Sequence, residues 1–145
     1  MSQQINSFDV TSVTPNAIFL LVGRRRSGKS VNLMSLLHLF KDTFAWGVAI
    51  CPSQTSLQDY EKVMPPQFCH ENIDLDLIQK MIDYQNKRVK NNTAERIFLI
   101  LDDCAFDTKA FKSKVLKYLF FNSRHLKITL FISIQDCLVL SPALR

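Results

Sequence analysis

The sequence predicts an α/β domain in which helices cover both faces of a mostly parallel sheet. Three observations carry that expectation. Apolar runs rich in Ile, Leu, Val and Phe alternate along the chain with longer helical patterns. The runs are continuous rather than alternating, as in strands buried on both faces. A length of 145 residues supplies one such domain with a real core, but not two.

Residues 1–16 read as an irregular lead-in closed by Pro15, and residues 17–145 as a single core domain. Ala17–Val22 is the first strand, continuous and apolar, and a Gly-containing turn follows it. Lys29–Lys41 reads as a helix. Its apolar set Val31, Leu33, Met34, Leu36, Leu37, Leu39 and Phe40 covers much of the circumference, so the helix is expected to be largely enclosed. Ala45–Cys51 is a second strand, stopped by Pro52. A turn-rich stretch with one short helix runs to Pro65-Pro66. Asp74–Lys90 is a helix with Leu75, Ile78, Ile82 and Val89 on one side, and the polar Asn91-Asn92-Thr93 breaks it. Arg96–Leu101 is a third buried strand. Lys109–Phe121 is an amphipathic helix with Phe111, Val115, Leu116 and Leu119 inward and its lysines outward, and Lys127–Ile134 is a fourth strand. No internal repeat or domain boundary interrupts the pattern.

Composition narrows the class. Hydrophobic residues make up 47% and charged residues 21%, which argues against disorder. Apolar runs such as Ile97–Leu101 fall far short of the roughly 20 residues that cross a bilayer, so no transmembrane segment is expected. Met1–Asn6 lacks the charged-then-apolar pattern of a signal peptide. The cysteines Cys51, Cys69, Cys104 and Cys137 form no CxxC pair, and His70 beside Cys69 finds no second pair to complete a metal site. Buried free thiols in a reducing, intracellular compartment are the expectation. A net charge of +5 favours a polyanionic partner. Basic residues cluster at Arg24–Arg26, at Lys87, Arg88 and Lys90, and at Lys109, Lys112, Lys114, Lys117, Arg124 and Lys127. Solvated helix faces explain them equally well.

The chemistry begins at Gly23-Arg24-Arg25-Arg26-Ser27-Gly28-Lys29-Ser30, which fits G-x-x-x-x-G-K-[ST] at every fixed position. The chain has three glycines, and two stand where this motif needs them. Gly23 and Gly28 let the backbone turn so that successive N–H groups point at an anion. The helix beginning near Lys29 adds its positive end. Lys29 is placed to reach the β- and γ-phosphates of ATP, and the Ser30 hydroxyl to hold Mg²⁺. The eight loop residues are therefore the candidate nucleotide cradle.

Ile97–Leu101 runs into Asp102-Asp103, an apolar strand ending in two carboxylates. Downstream of a phosphate loop, Asp102 would orient the Mg²⁺ shell and Asp103 would polarise the attacking water. Ser133-Ile134-Gln135 ends the fourth strand, where Gln135 either contacts the γ-phosphate and water or is an ordinary loop residue. Asn86-Lys87 lacks an Asp two residues after the lysine, so the guanine-reading motif of GTPases is missing.

With these residues in place, the chain resembles the FtsK–HerA superfamily, and within it the poxvirus-type genome-packaging ATPases of large DNA viruses. The phosphate loop with its strand and the Asp102-Asp103 strand end carry part of the resemblance. The rest lies in Phe120-Phe121-Asn122-Ser123-Arg124-His125-Leu126-Lys127-Ile128, in Ile134-Gln135, and in Pro142-Ala143-Leu144-Arg145. The resemblance implies an additional-strand ATPase core, a P-loop three-layer sandwich with the Gln135 strand between the phosphate-loop strand and the Asp102 strand. It implies a ring-forming motor that acts on double-stranded DNA, with a viral capsid portal or membrane component as a further partner. The implied setting is the host cytoplasm (a viral factory) or the virion. Lys29, Ser30, Asp102, Asp103 and Gln135 take the roles above, and Arg124 becomes a candidate for DNA contact or for an arginine finger reaching another subunit. Relatives continue past the position of Arg145, so the sheet edge beside the phosphate-loop strand is expected to be open. Two other readings stand beside the motor: a small-molecule kinase, against which Asp103 and Gln135 weigh, and a domain that binds nucleotide or DNA without turnover.

Overall fold

The strands of the computed structural model are β1 (Ile18–Val22), β2 (Trp46–Ile50), β3 (Cys69–His70), β4 (Ile97–Asp102) and β5 (Ile128–Ile134). They form one sheet in the order β1-β5-β4-β2-β3, and every pairing is parallel. The helices are α1 (Lys29–Leu39), α2 (Gln54–Glu61), α3 (Leu75–Lys90), α4 (Thr108–Phe111) and α5 (Lys114–Asn122). The structure describes residues 9, 12–140 and 142, so most of the irregular lead-in expected over residues 1–16 and the Ala143-Leu144-Arg145 segment lie outside the described residues.

Alternation along the strands divides the core in two. On one face, Ala49, Phe98, Ile100 and Phe131 meet Leu33 and Leu37 of α1 and Leu57 and Tyr60 of α2. On the other, Val48, Leu99, Leu101, Leu130 and Ile132 meet Ile78, Met81 and Ile82 of α3 and Leu116 and Leu119 of α5. The result is the expected three-layer α/β sandwich. β5 lies between β1 and β4, in register from Ile18 opposite Leu130 and from Ile97 opposite Ile128, as the resemblance implied. Gln85 of α3 is fully buried and donates from Nε2 to the carbonyls of Glu95 and Leu126, both at 2.9 Å. It ties α3 to the approaches of β4 and β5.

Several local expectations need correction. β1 is not buried on both faces: Ile18, Leu20 and Val22 are 39%, 40% and 51% exposed, because β1 is the outer strand and α3 and α5 cover only its inner neighbours. Phe19 and Leu21, pointing the other way, do pack on the α1 face. α1 is only half enclosed, with Val31 and Leu39 exposed, and it ends at Leu39. The helix expected over Lys109–Phe121 is two helices. Asp107 caps α4 by accepting from the Ala110 N–H, and Ser113 caps α5 by accepting from the Leu116 N–H, so the second cap restarts the helix. A two-residue strand at Cys69–His70, absent from the sequence reading, adds the far edge. Cys51 and Cys104 are buried free thiols as expected, whereas Cys69 is partly exposed and Cys137 is exposed.

Candidate active site

The site forms where β1, β4 and β5 end and α1 begins. After β1 the chain turns back sharply, and the Gly23 N–H donates to the carbonyl of Ile134 at 3.1 Å, which fastens the loop to the end of β5. Gly28 closes the loop at φ of 84°, a left-handed conformation that favours glycine, and α1 starts at the next residue without a side-chain cap. The first N–H groups of α1 therefore face the loop mouth, ready for an anion. Lys29 donates from Nζ to the carbonyls of Gly23 and Arg24 at 2.7 and 2.9 Å, folding its ammonium across the loop. Arg24, Arg25, Arg26 and Ser27 are exposed around it. A cavity of about 450 Å³ opens between the loop and the strand ends, lined by Arg25, Ser27, Gly28, Lys29, Ser30 and both carboxylates, among others.

Asp102 lies at the floor of this cavity and is 1% exposed. Three hydroxyls from three elements hold it. Ser30 of α1 and Tyr60 of α2 each donate to Oδ2 at 2.8 Å, and Ser133 of β5 donates to Oδ1. Cys51 Sγ stands 3.9 Å from Oδ2. Burial, with the nearby Asp102 charge second, pushes the Cys51 thiol up to about 11. The same two causes drive the Tyr60 phenol well above its ordinary range, so it remains a donor.

Asp103 follows with φ of 55°, a left-handed turn at the end of the strand. Its N–H donates to both the carbonyl and the hydroxyl of Ser133, at 3.1 and 3.0 Å. Gln135 donates from Nε2 to both Asp103 oxygens at 3.0 Å. A neighbouring cavity of about 850 Å³, lined by Arg25, Ser53, Asp103, Phe106 and Gln135 among others, continues from this pair.

The structure thus brings together Lys29, Ser30, Asp102, Asp103 and Gln135. Arg124 is not among them: it is exposed at the other end of β5, a strand of seven residues or about 20 Å away. Ser30 and Asp102 present hard oxygen donors side by side, which fits Mg²⁺. No cluster of three or more His, Cys, Asp or Glu suited to a metal occurs among the described residues. A Mg²⁺ here would therefore draw most of its ligands from phosphate and water, as that ion commonly does. Sequence reasoning missed Tyr60, since its partner lies 42 positions away and α2 carries no motif.

A model of the family described as "Poxvirus A32 protein" matches residues 6–139. "Uncharacterized protein 075L" of Invertebrate iridescent virus 6 is 31% identical over 153 residues, covering 97% of this chain and 58% of that protein. A protein of Acanthamoeba polyphaga mimivirus, L437, is 25% identical, covering 98% of this chain and 53% of its own length. The chain spans about half the length of the curated relatives it matches. Among solved structures, the pCW3 conjugation coupling protein TcpA with ATPγS superposes with a TM-score of 0.65 at 20% identity, over 87% of this chain and 45% of that one. EssC (ATPases 2 and 3) from Geobacillus thermodenitrificans gives 0.58 at 15% identity, over 89% of this chain and 30% of that one. These likenesses show the fold, that of P-loop ATPases.

Proposed function

Because the chain belongs to the Poxvirus A32 protein family, we propose that it is the ATP-binding and hydrolysing domain of a viral DNA-packaging translocase. One observation carries the reading: Gln135 bridges both oxygens of Asp103 beside the Ser30–Asp102 pair, at the mouth of the phosphate loop. That is the equipment of hydrolysis rather than of phosphate transfer to a small molecule. The loop N–H groups from Gly23 to Ser30 and the Lys29 ammonium hold the phosphates of ATP, and Lys29 leaves its carbonyl partners to do so. Ser30 and Asp102 would hold Mg²⁺, which when bound would supply positive charge to the phosphate oxygens. Asp103 accepts the proton of the attacking water, and Gln135 sets the direction of that carboxylate. Arg25 borders both cavities, which supports it as the loop arginine that meets the γ-phosphate, with Arg24 and Arg26 flanking it.

Double-stranded DNA is the proposed partner. Lys109, Lys112, Lys114, Lys117, Arg124 and Lys127 are exposed, and none forms an ion pair among the described residues. Phosphates would supply the missing counter-charges. Arg124 serves either that surface or the active site of the next subunit in a homo-oligomeric ring, since it cannot reach its own. A capsid portal or membrane component as docking partner, and the host cytoplasm or virion as location, belong to the same proposal. No helix among the described residues is long and apolar enough to cross a membrane.

The test is ATP hydrolysis with and without double-stranded DNA. Hydrolysis stimulated by DNA should fall roughly 100-fold or more in Lys29→Ala, with circular dichroism unchanged. ATP bound but never hydrolysed, even at high protein concentration with DNA, would sink the motor reading. Phosphate appearing on an added nucleoside would replace it with a kinase.

A further inference from the structure

α2 reaches the site although no nucleotide motif demands it. Pro52 stops the chain after β2, the Ser53 hydroxyl accepts from the Ser56 N–H, and the helix so started buries Leu57 and Tyr60 against the α1 face of the sheet. Tyr60 is 1% exposed, and its ring belongs to the core. Its hydroxyl ends on Asp102 Oδ2, the oxygen that also accepts from Ser30. A carboxylate taken this far from water needs donors, and each donor also fixes its rotamer. Ser133 fixes the other oxygen. Asp102 is therefore clamped from α1, α2 and β5, and a cation arriving beside Ser30 meets an oxygen already aimed.

We propose that Tyr60 is a positioning residue for the metal-binding carboxylate: α2 delivers its phenol to Asp102 so that the site takes Mg²⁺ with bound nucleotide. The inference rests on the reading above, in which Asp102 serves the metal. Tyr60 does not line the phosphate-loop cavity. It acts through Asp102, as the outer partners of metal ligands generally do.

Tyr60→Phe keeps the ring and removes only the donor. ATP affinity is measured first in EDTA and then across a Mg²⁺ titration, for the natural chain and the variant. In EDTA the two should agree within about twofold, because the phosphate loop is untouched. The Mg²⁺ concentration giving half of the affinity gain should rise about 10-fold in the variant. An unchanged Mg²⁺ curve in a folded variant overturns the role of Tyr60 alone. No effect of Mg²⁺ on ATP binding by the natural chain overturns the metal reading of Asp102 as well.

A second measurement does not depend on the variant folding. The chain contains three tyrosines. Labelled with 3-fluorotyrosine, it should give resonances that Tyr84→Phe and Tyr118→Phe assign, both positions being more than 40% exposed. The remaining Tyr60 resonance should move when Mg²⁺ is added to the ATP complex. A Tyr60 signal indifferent to Mg²⁺ overturns the proposal.

Discussion

Arg26 adopts φ of 60° in the middle of the phosphate loop, a conformation that costs an L residue with a Cβ about 1 kcal/mol or more. Arg26→Gly should therefore raise stability by about 0.5–1 kcal/mol in urea unfolding, whereas Arg26→Ala, which keeps the strain, should not. Asp103 has nearly the same φ, but there two bonds from its N–H to Ser133 hold the turn and Gln135 donates to its carboxylate. The cysteines separate by environment in a similar way. Cys137 is exposed, and Cys51 and Cys104 are buried. A thiol reagent at pH 8 should modify Cys137 first and reach Cys51 and Cys104 only on unfolding. The Cys51 thiol is raised from 9.0 to about 11 in the fold, chiefly by burial. Its contribution to stability is thus complete below pH 9 and is lost as pH climbs from 9 towards 11. The urea midpoint should fall across that window, and Cys51→Ala should lessen the fall. Cys104 and Tyr60, also raised by burial, act in the same direction.

At the scale of elements, β2 and β4 are joined by an unequal pair. Gly47 stands opposite Phe98, and the aromatic ring lies flat on the glycine backbone, so that an added Cβ would sit 2.4 Å from ring carbons. Gly47→Ala should cost about 1–3 kcal/mol, and Phe98→Leu in the same chain should recover part of it; a double-mutant cycle by chemical denaturation measures the coupling. This pair was invisible in the sequence, where nothing links Gly47 to a residue 51 positions away. The elements that were legible share a local cause. Continuous apolar runs gave β1, β2, β4 and β5, and the phosphate loop announced both its turn and α1. What escaped depends on contacts distant in sequence or on single side chains competing with the backbone. Ser113 splits the α4–α5 stretch although the apolar period runs straight through it. Tyr60 joins the site only because α2 folds over the sheet. Lys29, Ser30, Asp102, Asp103 and Gln135, expected at the site from their motifs, lie together in the fold, whereas the Tyr60 and Ser133 hydroxyls that also fix Asp102 carried no such signal.

For the molecule as a whole, the decisive fact is that the phosphate-loop strand is an outer strand. Among the described residues, Ile18, Leu20 and Val22 leave an apolar strip beside an unpaired sheet edge, the arrangement that invites pairing with another chain. Leu20→Lys should reduce concentration-dependent association in light scattering while leaving ATP binding unchanged. Association unaltered by the charge would place the contact elsewhere. The same position of β1 imposes an order on biosynthesis. β1 leaves the ribosome about 110 residues ahead of its partner β5. At about 5–20 residues per second, that strand waits roughly 5–20 s without a neighbour. The Gly23 N–H waits too, since its acceptor is the last residue of β5. On the proposed function, nucleotide capture therefore waits for β5, and ATP is recognised only once synthesis has passed that strand.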